Sequence, residues 1–323
     1  MPLYLALTVI LTVLVPLLAP LCWLVSLREK SHGALRSGAF VLCYLWCETI
    51  GIVVSVWLWL RHGLPTRAGD DKRWRAFLDG NFALQCWWAN ALKVSAERLF
   101  DLHFSVEGSE ALEGGPAIML PRHASIADTV IPMVFYAIPR RIRLRYVLKR
   151  ELLVDPCLDI VGNRLPNCFV ARSGDDAQAD IDRVTALANG VGPHEGFLIY
   201  PEGTRFSVAR QQRALASLAT RIDPMELDRM RTWTNLLPPR PGGALALMRA
   251  APNLDLVFCA HTGFEGASHA RQLINGGWIG ADIRIRFWRI DHRAIPADDA
   301  QRRAFLSAQW DRMQETVTQL QQA

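Results

Sequence analysis

The first sixty residues carry two long runs that water does not tolerate as free helices. Residues 2–27, PLYLALTVILTVLVPLLAPLCWLVSL, hold no charged side chain, and residues 38–60, GAFVLCYLWCETIGIVVSVWLWL, hold only Glu48. A helix needs roughly 20 apolar residues to cross the ~30 Å hydrocarbon layer of a bilayer, so each run is long enough. A cleaved leader fits poorly, because the first run lacks a basic start, is too long and is followed by a second run. The runs predict a membrane-embedded helical hairpin over 1–65. Length favours a spanning hairpin; a pair that enters one leaflet and returns is the alternative.

Tryptophan placement agrees. Seven of the eleven tryptophans lie in the first 88 residues, and this side chain favours the membrane–water interface. The joint between the runs carries Arg28, Lys30 and Arg36, and the stretch after them Arg61, Arg67, Lys72, Arg73 and Arg75. Both flanks are basic, so the positive-inside rule does not decide orientation. Arginines beside apolar helices predict attraction to anionic lipid headgroups, which makes the lipid bilayer an expected partner. The net charge of +5 is modest, and no basic motif has groove or stacking logic, which argues against nucleic acid. The seven cysteines show no metal-ligand spacing and read as buried thiols, so no metal site is expected.

Residues 66–323 read as one α/β domain. Apolar and aromatic positions over 72–100 predict a helix lying at the interface or on the domain. Short apolar runs then alternate with helical stretches. Strands are predicted at 102–107, 116–120, 143–148, 167–171, 196–200, 255–260 and 283–290. Helices are predicted at 126–137, 150–160, 175–190, 207–220, 242–250 and 298–321. In the last, Leu306, Trp310, Met313, Val317 and Leu320 form one apolar stripe, as expected of a helix packed on a sheet. The fold class is α/β: a mixed sheet flanked by helices, preceded by the membrane-embedded hairpin.

Two polar blocks stand out. In PRHASIAD, His123 precedes Asp128 by five residues. On one continuous helix the two would point ~140° apart, so they meet only if His123 sits in the loop before the helix and Asp128 in its first turn. A carboxylate on one ring nitrogen fixes the tautomer and makes the other nitrogen a better base. Ser125 to Asp128 also reads as a capping box, which would make Asp128 a simple helix cap. In YPEGTR, residues 200–205, a buried strand GFLIY runs into Glu202, Gly203, Thr204 and Arg205. Ligands sit at such strand ends in α/β sheets. Gly203 allows close backbone approach to an anion, Thr204 adds a hydroxyl donor, and Arg205 adds a fork suited to phosphate. A charged turn with a local Glu–Arg pair is the plain alternative.

Together, in this order, the blocks resemble those of the glycerophospholipid acyltransferases, whose best-known members are 1-acylglycerol-3-phosphate acyltransferases. The family's His-x4-Asp motif is matched by His123 and Asp128. Its aromatic-x-x-Arg strand is matched by FVAR, with Phe169 and Arg172. Its Phe/Tyr-Pro-Glu-Gly-Thr-Arg motif is matched in full by Tyr200 to Arg205. Its apolar fourth motif is matched by LVFCAH at 256–261, without the proline often found there. The segment LLPPRPGGALALM at 236–248 resembles the lysocardiolipin-type branch, and VLKREL resembles the strand end that bears a lysine, here Lys149. Arg122 and Ala124 depart from the family's usual Asn and Gln or Arg.

The resemblance implies acyl transfer from an acyl-CoA or acyl-carrier-protein thioester to the hydroxyl of a lysophospholipid, with no cofactor beyond that co-substrate. His123 would be the general base and Asp128 its orienting partner. The acceptor phosphate would face Arg172 and Arg205, with Gly203 and Thr204 as donors, Glu202 orienting Arg205 or the acceptor, and Lys149 as a further phosphate contact. The expected location is a membrane, inner or cytoplasmic, with the catalytic domain on the cytoplasmic side. Two rivals remain: a lipid-binding scaffold with a degenerate site, and a membrane-anchored thioester hydrolase.

Overall fold

The computed structural model describes residues 2–28, 31–63, 71–171, 177–265 and 270–323. The chain divides into two compact units. The first comprises Met1–His103, Leu148–Phe169 and Gly266–Ala281, and the second Phe104–Val147, Val170–Glu265 and Asp282–Ala323. The division expected at residue 65 differs from this one, because the helix over 71–100 and two later segments lie in the first unit. In chain order the elements are α1 (Pro2–Arg28), α2 (Gly33–His62), α3 (Asp71–Phe100), β1 (His103–Glu107), β2 (Ala117–Pro121), α4 (Ile138–Arg140), β3 (Arg143–Lys149), α5 (Pro156–Arg164), β4 (Cys168–Val170), α6 (Ala177–Ala186), β5 (Glu195–Leu198), α7 (Val208–Leu218), α8 (Pro224–Arg231), α9 (Pro241–Ala250), β6 (Asp255–Thr262), α10 (Ala270–Ile274), β7 (Asp282–Ile290) and α11 (Asp299–Gln322).

In the first unit, α1 and α2 are both long and apolar enough to cross a membrane. Several of their polar side chains are satisfied inside the unit. Thr8 Oγ1 donates to Tyr4 O (2.8 Å) and accepts from Thr49 Oγ1 (3.0 Å), and Ser26 Oγ donates to Cys22 O (2.8 Å). Hydroxyls that turn back on their own helix need no water. The outer side of α1 stays apolar and uncovered, with Leu3, Val13 and Leu17 at 70–75% exposure. The single charge of the second run is also resolved. Glu48 is fully buried; its Oε1 accepts the Trp88 indole N–H (2.7 Å) and its Oε2 the Cys157 backbone N–H (3.0 Å). That carboxylate ties α2 to α3 and to the start of α5. Further along the same helices, Leu58, Leu78, Leu84, Val161 and Leu165 form one apolar cluster. The 72–100 segment is therefore a helix that packs on its neighbours in this unit.

The sheet has seven strands in the order β1-β7-β6-β2-β5-β3-β4. β2 is parallel to both β5 and β6, β3 is parallel to β5, and β7 is antiparallel to β6. β2 and the middle of β6 are apolar and buried at every position, as parallel strands covered on both faces must be. β7 instead alternates, with Ile283, Ile285 and Phe287 inward and charged residues between them. The stripe on α11 is buried as its spacing predicts: Leu306, Trp310, Met313, Val317 and Leu320 are all at most 1% exposed. Trp310 also donates its indole N–H to Leu237 O (3.2 Å), so this large side chain is buried with its polar atom satisfied.

The helix expected over 126–137 forms differently. Residues 127–130 make a 3₁₀ turn, Met133–Ala137 a wide π turn, and α4 only the last three residues. Pro132 has no N–H and cannot continue an α-helical ladder through this stretch. A separate helix, α8, follows Asp223, whose carboxylate caps it by accepting the Met225 N–H (2.8 Å). The apolar period of the sequence marks no element there.

β5 must lie very close to β2 to bring its end to the site described below. A Cβ on Gly196 would stand 2.5 Å from Ala117 O. Gly196→Ala is therefore expected to push the two central strands apart and to destabilise the second unit by about 1–3 kcal/mol, the usual cost of overpacking. A lowered thermal midpoint with unchanged helix content checks this.

Candidate active site

β6, β2 and β5 are adjacent and parallel, so their carboxyl ends lie along one edge of the sheet. β2 ends at Pro121 and leads to Arg122 and His123. β5 leads through Ile199 to Tyr200 and Glu202. β6 carries His261 near its end and leads to Glu265. Residues up to 143 positions apart are thereby brought into hydrogen-bond range.

His123 lies in the loop after β2, and Asp128 in the 3₁₀ turn that follows, the placement the spacing requires. His123 Nδ1 is 3.0 Å from Asp128 Oδ1. A carboxylate accepts, so Nδ1 carries the hydrogen and Nε2 keeps a lone pair. Asp128 is fully buried, and its Oδ2 accepts the N–H groups of Ala124 and Ser125, both at 2.7 Å. Asp128 is a loop cap and a histidine partner at once. Burial alone would raise its carboxyl, but the His123 contact, His261 and the backbone donors hold it below the usual carboxylate range. The His123 side chain is 16% exposed, enough for a small group to reach it. Tyr200 packs against its ring with centroids 4.5 Å apart and donates its hydroxyl to Asp128 O (3.2 Å).

The YPEGTR block is pinned directly to this histidine. Phe206 donates its backbone N–H to His123 O (2.7 Å), so Arg205 adjoins the residue bonded to the His123 backbone. Gly203 takes a φ of +65° in a turn closed by its N–H on Tyr200 O (2.9 Å), a conformation that suits glycine. Thr204 and Arg205 follow it and are partly exposed. The Arg205 guanidinium makes no ion pair among the described residues. Glu202 does not face it. Its carboxyl is 1% exposed, with Oε1 accepting the His123 N–H (2.7 Å) and Oε2 the Leu237 N–H (2.9 Å). Both oxygens are committed to backbone, so the expected contact with Arg205 or a substrate is replaced by a brace between loops. Burial pushes the Glu202 carboxyl up to about 8, against the two backbone N–H groups and Arg122. Lys149 ends β3 and belongs to the first unit. Arg172 lies outside the described residues.

Three residues of this cluster escaped the sequence reading. Arg122, 1% exposed, donates through Nη1 to His261 O (2.5 Å) and Glu265 Oε1 (2.6 Å), and through Nε to Asn235 O (3.2 Å). His261 is fully buried behind Asp128. Arg240, whose N–H donates to Pro201 O (2.8 Å), runs its side chain past Gly203, where a Cβ would stand 3.2 Å from Arg240 Cδ. The signal for the first two was present: a charged or polar residue at the end of an otherwise apolar buried strand.

The described residues offer one cluster with metal-ligand spacing, Asp255, Asp291 and His292, at the far end of β6 and β7 from this site. The His123 cluster has the donor set of acid–base chemistry.

The sequence model of the family described as Acyltransferase matches residues 103–258, a span that runs from β1 through β6 and contains His123, Asp128 and the whole YPEGTR block. No curated protein matches the chain significantly. Among solved structures, the chain is similar to the crystal structure of the 1-acyl-sn-glycerophosphate (LPA) acyltransferase PlsC from Thermotoga maritima. The TM-score is 0.50 at 15% identity, over 86% of this chain and 97% of that one. At that identity the likeness speaks for the fold, while the family match covers the segment that builds the site. Residues 103–258 thus carry an acyltransferase-family domain, on a fold similar to that of PlsC.

Proposed function

We propose that the protein is a membrane-bound O-acyltransferase. It moves a fatty acyl chain from an acyl-CoA or acyl-carrier-protein thioester to the free hydroxyl of a lysophospholipid, lysophosphatidate or a close relative. The observation that carries this reading is the His123–Asp128 pair: a partly exposed imidazole whose Nδ1–H is held by a buried carboxylate, with Arg205 adjoining the residue bonded to the His123 backbone.

The reaction follows from that geometry. A lipid hydroxyl is a poor nucleophile near neutral pH. His123 Nε2 takes its proton as the oxygen attacks the thioester carbonyl carbon. Asp128 stabilises the imidazolium that forms. As the tetrahedral adduct collapses, the C–S bond breaks and Nε2 returns the proton to the departing thiolate. The products are the acylated lipid and the free thiol. General-base help of this kind contributes ~10²–10⁴ in rate. The phosphate of the acceptor would lie against Arg205 and Arg172, with Gly203 and Thr204 supplying donors. Glu202 is assigned to bracing the His123 loop. No metal or further cofactor takes part in this scheme.

The apolar outer face of α1 and the basic flanks of the two long helices support anchoring in a membrane. A cytoplasmic site would give access to thioester donors made in the cytosol.

Purified protein given a panel of lysophospholipids, glycerol-3-phosphate and one labelled acyl thioester should yield an acylated phosphate-bearing lipid, read by mass. His123→Ala should abolish that product, and Asp128→Asn should lower it by at least about tenfold. Thioester loss without lipid product would favour the hydrolase, and near-normal turnover by His123→Ala would overturn the mechanism.

Arg205→Ala should chiefly raise the KM of the acceptor, by roughly tenfold or more, because a charge-assisted contact is worth about 1.5–3 kcal/mol. Lysine should rescue it in part, keeping the charge without the fork. Initial rates against each substrate separate this from a donor site, where the thioester KM would rise instead.

Glu202 gives a stability prediction with a definite sign. Its folded value of about 8 lies above its ordinary 4.5, so between these limits the folded protein holds a proton that the unfolded chain releases. This contribution is full below pH 4.5 and is lost as the pH rises through 8. Glu202→Gln should therefore flatten the fall of the thermal midpoint over that window, and parallel midpoint curves for both proteins would contradict it.

A further inference from the structure

His261 is a second imidazole against the catalytic carboxylate, and the mechanism above does not use it. Its Nε2 lies 3.1 Å from the backbone O of Arg122 and 3.6 Å from Asp128 Oδ2. A carbonyl only accepts, so Nε2 carries the hydrogen. The other nitrogen, Nδ1, is buried with no hydrogen-bond partner among the described residues. A protonated ring would strand an N–H there, whereas a neutral ring leaves only a lone pair. Burial, together with the Arg122 charge, holds His261 below its ordinary value against the pull of Asp128 and Glu265. The ring is therefore neutral, with its N–H on Arg122 O and the same nitrogen close beside Asp128.

The clasp that holds it is reciprocal. Arg122 Nη1 donates to His261 O, and His261 Nε2 donates to Arg122 O. Arg122 is in turn paired with Glu265, whose Oε2 accepts the Gly263 N–H (2.7 Å). Phe264 closes the far side, edge-on to the His261 ring at 5.9 Å. A ring serving only to fill the core could present carbon to Asp128. This one turns a nitrogen that bonds Arg122 O to within 3.6 Å of Asp128 Oδ2.

We propose that His261 is a positioning residue of the acyl-transfer site: its Nε2–H, bonded to the backbone O of Arg122 beside His123, fixes the start of the His123 loop and, 3.6 Å from Asp128 Oδ2, tempers the charge that carboxylate presents to the base. This rests on the reading of His123 as the general base. The other titratable groups around the pair are Arg122, Glu202, Glu265, Tyr200 and Cys259. Burial pushes the Tyr200 hydroxyl and the Cys259 thiol upward, so both stay neutral through the working range. Glu265 stays ionised beside Arg122.

The direction of the effect follows. A positive dipole end beside Asp128 disfavours a positive charge on His123. Removing it leaves Asp128 free to stabilise the imidazolium more strongly, so His123 should become more basic while losing its fixed orientation. The test uses the full chain in detergent, with lysophosphatidate and an acyl-CoA, and reads kcat/KM against pH. His261→Phe should move the acidic limb upward by roughly 0.5–1 pH unit, the scale of one lost hydrogen bond. It should also lower kcat by about tenfold, as misplacing a catalytic group does. His261→Gln can still donate at that position and should keep the limb near wild type, while His261→Asn, too short to reach, should shift it like Phe. The Gln and Asn pair decides the matter if Phe does not fold. Limbs unchanged in Phe and Asn, or shifted equally in Gln and Asn, would overturn the proposal and leave His261 a core residue. His123→Ala in the same assay separates the two readings: its activity tests the base, and the limb of the His261 variants tests the positioning.

Discussion

A buried carboxylate is the constraint on which the site depends. Asp128 has no contact with solvent, and an unpaired charge there would cost several kcal/mol. The chain meets that cost with donors alone: the ring of His123 and the N–H groups of Ala124 and Ser125. Two of these are backbone groups and can point inward only if the loop after β2 curls around the carboxylate. A regular helix starting at Ser125 would turn them along its own axis. The 3₁₀ turn at 127–130 and the wide turn after Pro132 are the shape the chain takes when that carboxylate must be wrapped first.

A second buried carboxyl sets the other loop. Glu202 and Asp128 lie close enough to oppose each other's ionisation, and their surroundings push them apart. Asp128 is held low by donors, and Glu202 is pushed up by burial. Separated values on neighbouring acids sort roles: one keeps its charge for the histidine, and the other is free to act as a brace. Glu202 then fixes three chain segments at once, since it bonds the His123 backbone and Leu237 while standing at the end of β5. Parallel pairing of β5, β2 and β6 makes this possible, because only parallel neighbours bring their carboxyl ends to one edge.

Much of this was legible in the sequence where one residue type had one job. The hairpin, the sheet strands and the α11 stripe follow from apolar period alone, and the His123–Asp128 geometry follows from their spacing and Pro121. Where one side chain serves a contact made far along the chain, local pattern is silent. Glu202 looks like half of a surface Glu–Arg pair until the fold buries it against Leu237. His261 and Arg122 look like stray polar residues at strand ends until β6 is set beside β2, 139 residues away. The π turn at Met133–Ala137 hides behind an apolar run that reads as ordinary helix. The first unit escapes for the same reason: the Glu48 carboxylate gathers α2, α3 and α5 across more than a hundred residues.

The proposed transfer also has to defeat water, which reaches a partly exposed imidazole more easily than any lipid. Nothing in the His123–Asp128 pair distinguishes a lipid hydroxyl from a water molecule, since both offer one O–H to Nε2. Discrimination must come from holding the acceptor. A hydroxyl fixed in line with the thioester gains an effective concentration of up to ~10⁵–10⁸ M over free collision. The anchor for that fixation is the group at the other end of the glycerol. The Phe206 N–H bond on His123 O sets Arg205 at a fixed chain distance from the base. In the proposed transfer, the same backbone bond that joins PRHASIAD to YPEGTR would measure the acceptor. A lipid whose phosphate and free hydroxyl match that span would be positioned for attack, and water, with no phosphate to hold, would not.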